Sequence, residues 1–210
     1  MSRIPARAPA LDVVLASANP GKLREFARLL GPGPLRLRSL SEFAPLRLPE
    51  EGLDYAENAR AKAEAAAAAC GLAALADDSG IEVEGLGGAP GPLSARYGGP
   101  GLDDAGRVRH LLRALARAPA GSRRARFVCV VALARPGAPT ALARGECAGR
   151  ILDAPRGAAG FGYDPIFAPA GESVSMAELA SERKDEISHR GRALRALCDA
   201  LFGAAAGARA

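Results

Sequence analysis

Asp77 and Asp78 stand side by side in the segment ADDSG, directly after the apolar run at 72–76, with Ser79 and Gly80 behind them. Adjacent carboxylates repel one another unless a cation or hydrogen bonds offset the charge. At a strand end they supply hard oxygen ligands for Mg²⁺ and a proton acceptor for water. The following stretch, GLGGAPGPLSARYGG, is rich in glycine, which lets backbone N–H groups approach an anion, and its Ser94 and Arg96 are phosphate donors. Side chains alternate across a strand, so one of the two carboxylates faces the metal and the other holds the loop. The local alternative is a surface turn capped by an Asp side chain.

Three further clusters could carry chemistry. In SANPGK, residues Ser17, Ala18, Asn19, Pro20, Gly21 and Lys22 form a loop at the start of a helix, where free N–H groups and the helix dipole favour an anion and Lys22 adds a point charge. The spacing is not that of a P-loop. The acidic pair Glu50 and Glu51, with Glu57 and Asn58 beyond it, offers a carboxylate that could complete a metal site, or a solvated turn and a helix cap. The last cluster joins GFGYDPIF at 160–167 to RKDEISHRG at 183–191. Phe161 and Tyr163, flanking Gly162, present ring faces to a base, Asp164 accepts from a ring N–H, and Lys184, His189 and Arg190 donate. Such donors suit a keto oxygen, whereas an exocyclic amino group would leave them unpaired. Phe167, Glu182 and Arg183 read instead as core and helix entry.

Scarcity sharpens these choices. The chain has no Gln or Trp, two Asn, two His and three Lys against 25 Arg. Asn19 and Lys22 share one cluster, and Lys184 and His189 share another.

The elements that must position these residues follow from pattern. Residues 11–16 read as a buried strand, and Leu23, Phe26, Ala27 and Leu30 fall at helical spacing before the Gly-Pro cluster at 31–34. Residues 54–70 form an alanine-rich helix opened by Asp54 and Glu57 and stopped by Gly71. Residues 81–84 alternate as a half-buried strand. Val108, Leu111, Leu112 and Leu115 mark another helix; 126–134 and 141–151 are strands joined by a turn; Leu194, Leu197, Cys198 and Leu201 line a final helix. This alternation predicts an α/β fold.

Bulk properties narrow the partners. The chain has 210 residues, 49% of them hydrophobic, with no apolar run near the ~20 residues of a membrane span. We expect a short disordered start at 1–10 rather than a signal peptide, one domain over 11–203, and a frayed tail at 204–210. The four cysteines are widely spaced without a CxxC, which suits reduced thiols in the cytoplasm. Net charge is +5, yet aromatics are only 4%. A small anionic ligand therefore fits better than a nucleic-acid groove, which calls for stacking platforms.

Taken together and in order, SANPGK, EEGLDYAENA, ADDSG, GGAPGPLSARYGG, GFGYDPIF and ISHRG resemble the Ham1-like family of inosine/xanthosine triphosphate pyrophosphatases, over about residues 11–202. The resemblance implies a mixed α/β fold of two lobes around a cleft, usually a homodimer. It also implies Mg²⁺-dependent hydrolysis of ITP, dITP and XTP to the monophosphate and pyrophosphate. Carried over, Ser17, Asn19 and Lys22 hold the triphosphate. Asp78 is metal ligand and proton acceptor, with Ser79 on the substrate and Glu50 as second acid. Phe161 to Asp164, Lys184, His189 and Arg190 form the base pocket. The chain departs at Ser-Ala-Asn, where Thr-Gly-Asn is usual, and at Glu51 and Asp54, where threonines are common. Rival functions are a pyrophosphatase for modified pyrimidines, a general triphosphatase, and a non-catalytic nucleic-acid module.

Overall fold

A computed structural model describes residues 10–43, 45–49, 52–118 and 122–203. The expected disordered start, the frayed tail at 204–210, and Glu50 and Glu51 thus lie outside the described residues, save Ala10. Six strands form one sheet in the order β2-β1-β3-β4-β5-β6. Strand β1 (Leu11–Leu15) pairs in parallel with both β2 (Leu35–Arg38) and β3 (Ala73–Val83). Strands β4 (Arg124–Arg135), β5 (Ala138–Ile151) and β6 (Phe167–Pro169) add antiparallel neighbours, making the sheet mixed.

Parallel pairing requires long crossovers, and two helices supply them. Helix α1 (Pro20–Leu30) starts where Asn19 Oδ1 accepts the Gly21 and Lys22 N–H groups, with proline at a position that needs no donor. Helix α2 (Tyr55–Cys70) is capped by Asp54, which accepts from the Ala56 and Glu57 N–H groups, and ends at Gly71 in the left-handed region. Its Ala59, Ala63 and Ala66 are fully buried against Val14, Ala74, Ala76 and Ala132, small residues on both sides. The opposite face of the sheet is covered by α1 and by α5 (His189–Phe202), through Phe26, Leu30, Leu194 and Leu197 on Leu75, Cys129, Val131 and Leu133. Further along that face, α3 (Asp104–Leu115) packs Val108 and Leu111 on Ile81 and Phe127. Phe167 is fully buried there, as its pattern predicts. Arg183, on α4 (Ser181–Ile187), pairs with Glu172 and Glu186 at the surface.

The pattern reading differs from the structure at β3. The run at 72–76 and the alternating 81–84 are not two segments with a loop between them. They are one strand of eleven residues, and the carboxylates sit in its middle. Asp77 pairs with Val131, Asp78 with Val130, Ser79 with Cys129 and Gly80 with Val128 along β4. The backbone ladder continues through the polar residues because their side chains find charged partners on both faces. A Cβ on Gly80 would overlap the Gly91 carbonyl oxygen, so glycine lets the short helix Gly91–Arg96 dock on the strand.

Candidate active site

The alternation along β3 sends Asp77 and Ser79 toward α1 and α5, and Asp78 toward α2. Asp77 is 1% exposed, and its Oδ2 lies 3.0 Å from Lys22 Nζ and 3.3 Å from the Arg190 guanidinium, with the Ser79 hydroxyl donating at 3.0 Å. Burial alone would raise this carboxyl. The charges of Lys22, Arg190 and Lys62 overcome that penalty and hold it well below the ordinary carboxylate range. Arg190, 2% exposed, also donates to the Ser79 hydroxyl at 2.9 Å and to Glu25 of α1. Glu25 accepts from Lys184 at 2.6 Å, and Lys184 reaches Asp164 at 2.6 Å. The result is a chain of alternating charges: Lys22, Asp77, Arg190, Glu25, Lys184, Asp164. Burial works against ionisation of Glu25, but Arg190 and Lys184 outweigh it and lower its pKa. At Asp164, fully enclosed, burial wins over Lys184 and the pKa is raised.

Asp78, 3% exposed, meets a different set. Asn58 donates to Oδ2 at 2.8 Å and Lys62 Nζ lies 3.6 Å from Oδ1. Both partners stand on α2, one turn apart, so a single helix face receives the carboxylate. Asn58 also accepts the Gly52 N–H at 2.7 Å, fixing the chain that enters α2.

A cavity of about 220 Å³ opens between these elements. Asn19, Lys22, Asp78 and Ser79 line it, as do Phe161, Gly162, Tyr163, Asp164, Lys184, His189 and Arg190. Three of the four sequence clusters therefore converge; the fourth, the Glu50 pair, lies outside the described residues. Phe161 sits with Lys184 and Arg190 each 5.5 Å from its ring centre. A Cβ on Gly21 would overlap that ring, which ties the α1 start to the aromatic wall. His189 stacks on Phe127, with ring centres 4.6 Å apart and planes 10° from parallel. Burial, followed by the charges of Arg190 and Lys184, pushes its pKa well below 6.5, so the imidazole is neutral.

Several expected donors have other work. The Ser94 hydroxyl donates to Gly91 O at 2.6 Å and accepts the Ile81 N–H at 2.9 Å. It pins the glycine-rich segment to β3 at the cavity wall. Arg96 donates to Gly52 O at 3.4 Å and is not on the cavity wall. Tyr163 is buried in the core with its hydroxyl on Ser94 O, so its ring is wall rather than an open stacking face. The Asn19 carbonyl oxygen caps α1, and Ser17 accepts the Asn19 N–H. Ala18 costs the loop nothing, since no described residue other than glycine has positive φ.

The site residues that pattern reading did not assign are Asn58, Lys62 and Glu25. Scarcity could have found the first two. Each of the three lysines and one of the two asparagines meets a buried acid. Glu25 carries no such signal, being one acid among many on an amphipathic helix.

A metal site can be tested only on its donors. Among the described residues no group of three His, Cys, Asp or Glu side chains converges. Asp78 presents a carboxylate on the cavity wall, and a hard divalent cation that keeps its waters and binds substrate phosphates needs only one or two carboxylates from the protein. The donor set fits such an ion.

The sequence profile of the Ham1 family matches residues 13–200. A protein of Deinococcus deserti named dITP/XTP pyrophosphatase is 52% identical over 187 residues, 89% of this chain and 87% of that one. One of the same name from Geobacillus kaustophilus is 48% identical over 185 residues, 87% of this chain and 90% of its own. Among solved structures, a HAM1 protein from Coxiella burnetii superposes with a TM-score of 0.83 at 41% identity, covering 92% of this chain and all of that one.

Proposed function

The chain belongs to the Ham1 family, and from that premise we propose that it hydrolyses ITP, dITP and XTP to the monophosphate and pyrophosphate, clearing them from the nucleotide pool. The observation that carries this reading is one cavity lined at once by Asp78 and Lys22, suited to a phosphate chain, and by Phe161, Lys184, His189 and Arg190, suited to a keto purine. Relatives of matching length bear the name of that activity.

Asp78, with an acidic partner near Glu50, is the place for Mg²⁺; bound there, the ion would neutralise phosphate charge and acidify a water. Asp78 accepts the proton of the attacking water. Asn58 and Lys62 hold that carboxylate in place and balance its charge. Lys22 and the start of α1 stabilise the leaving pyrophosphate, and Asp77 fixes Lys22 for that task. Lys184 and Arg190, held by Glu25, donate to the 6-keto oxygen, and an adenine amino group in that place would leave them unpaired. Ser17 and Asn19 shape the phosphate loop. The single domain acts as a homodimer in the cytoplasm, where its four free thiols stay reduced.

The test is Mg²⁺-dependent product release with ITP, dITP, XTP, GTP and ATP side by side. Pyrophosphate from the first three and little from GTP or ATP is expected. Orthophosphate, or equal turnover of all five, overturns the reading.

A further inference from the structure

The residues assigned above answer to ring position 6 of the purine and leave position 2 unread, although guanine differs from hypoxanthine only there. We propose that Arg107, on α3, is the specificity residue for position 2, favouring xanthine and rejecting guanine. This rests on the purine triphosphate reading and deepens it.

Donor accounting carries the inference. Arg107 lines the same cavity as Lys184, His189 and Arg190. The other cavity-lining cations are each held by carboxylates, Lys22 by Asp77, Lys184 by Glu25 and Asp164, and Arg190 by Glu25 and Asp77 with Ser79 beside them, leaving only Arg190 Nε open among the described residues. Arg107 makes one hydrogen bond among the described residues, from Nη1 to Asp104 Oδ1 at 3.2 Å, and its buried Nε has no partner. A guanidinium carries five N–H donors and no acceptor, so most of this one is unanswered by protein. Its side chain is only 20% exposed, which limits what water can supply.

Its position is also fixed. Asp104 takes the Arg107 contact on one oxygen and accepts the Gly162 N–H at 2.8 Å on the other. That bond ties α3 to the backbone between Phe161 and Tyr163, in the segment assigned to the base. A donor-only group there must meet an acceptor. Xanthine offers a second keto oxygen at position 2 and ionises readily on its ring, adding negative charge. Hypoxanthine offers only hydrogen at that carbon. The 2-amino group of guanine would set donor against donor and leave both desolvated without a partner.

The experiment compares kcat/KM for XTP, ITP and GTP in the wild-type enzyme and in Arg107→Ala. The ratio of XTP to ITP should fall about 10- to 100-fold, the loss of a hydrogen bond to a charged group. The ratio of GTP to ITP should rise. Unchanged ratios overturn the proposal. So does a parallel fall for all three substrates, the result expected of a phosphate ligand or a damaged cavity. Should Arg107→Ala not fold, Arg107→Gln decides on the same ratios. Failure of the wild-type enzyme to release pyrophosphate from ITP or XTP would be a separate result, overturning the functional reading and this inference with it.

Discussion

Asp77 and Asp78 are neighbours on one strand, held by the same backbone ladder, and they occupy opposite electrostatic worlds. On the α1/α5 face, Asp77 closes a line of alternating charges that runs through Lys22, Arg190, Glu25 and Lys184 to Asp164. On the α2 face, Asp78 is held by the Asn58 amide at 2.8 Å and faces Lys62 at the longer distance of 3.6 Å, with the cavity before it. A two-residue period is enough to send two identical side chains to opposite faces of the sheet and to different partners. Two cations press on Asp77 and lower its proton affinity. Asp78 instead reaches both the cavity and the α2 helix that steadies it, which is what the proposed proton acceptor needs.

The sharpest break between the faces is kinetic. Asp78→Asn removes the proposed proton acceptor and hard ligand while keeping shape, so kcat with ITP should drop about 10²- to 10⁴-fold in the enzyme that remains folded. Turnover near that of the wild type in a folded variant would remove Asp78 from the chemistry. Asp77→Asn tests the other face through stability. It strands Lys22 and Arg190 without their shared carboxylate, and the cost of breaking a buried pair is about 3–5 kcal/mol. Denaturant unfolding reads this directly. A variant as stable as the wild type would mean that the charge line does not hold the fold together.

The same division explains what was legible in the sequence. The two acids were conspicuous as a pair, and the alternation rule sends them to opposite faces, as β3 shows. What the local pattern missed is that β3 runs through them unbroken, because Ser79 and Gly80 look like a turn unless β4 is known to pair alongside. The base-side residues were legible as donors because lysine and histidine are rare in this chain. Their buried counter-ion Glu25 was not, since only the tertiary approach of α1 to α4 and α5 distinguishes it from a surface acid. Ser94 and Tyr163, both on the cavity wall, carry a second task that the pattern did not show. Their chemistry suits a ligand, yet the loop they belong to needs them to satisfy its own backbone. Arg107 stood on a helix that looked purely structural, and its unpaired donors exist only once α3 meets the loop at 160–163.

The smallest effect separates the faces by pH. His189 packs flat on Phe127 at the cavity wall; burial, then Arg190 and Lys184, depress its pKa far below the ordinary 6.5, while Asp77 pulls weakly the other way and Lys22 adds to the depression. The unfolded chain therefore binds a proton as pH falls through about 6.5 while the folded chain does not. Stability contributed by the neutral imidazole is complete above that value and is lost below it, at up to about 1.4 kcal/mol per pH unit. Asp77 and Glu25 are depressed below their ordinary values of 3.8 and 4.5, so their own losses begin only at lower pH, and the raised Asp164, which acts with the opposite sign, is common to wild type and variant. Urea unfolding of the wild type and of His189→Gln at pH 7.5, 6.5 and 5.5 (with about one unit between points, enough for the predicted slope) should show the wild type losing stability faster. Coincident slopes would mean that water or an anion reaches the imidazole and lets it charge in the folded state. The seclusion of the imidazole would then not reach its neighbours, and the difference between the two carboxylates would rest on their ion pairs alone.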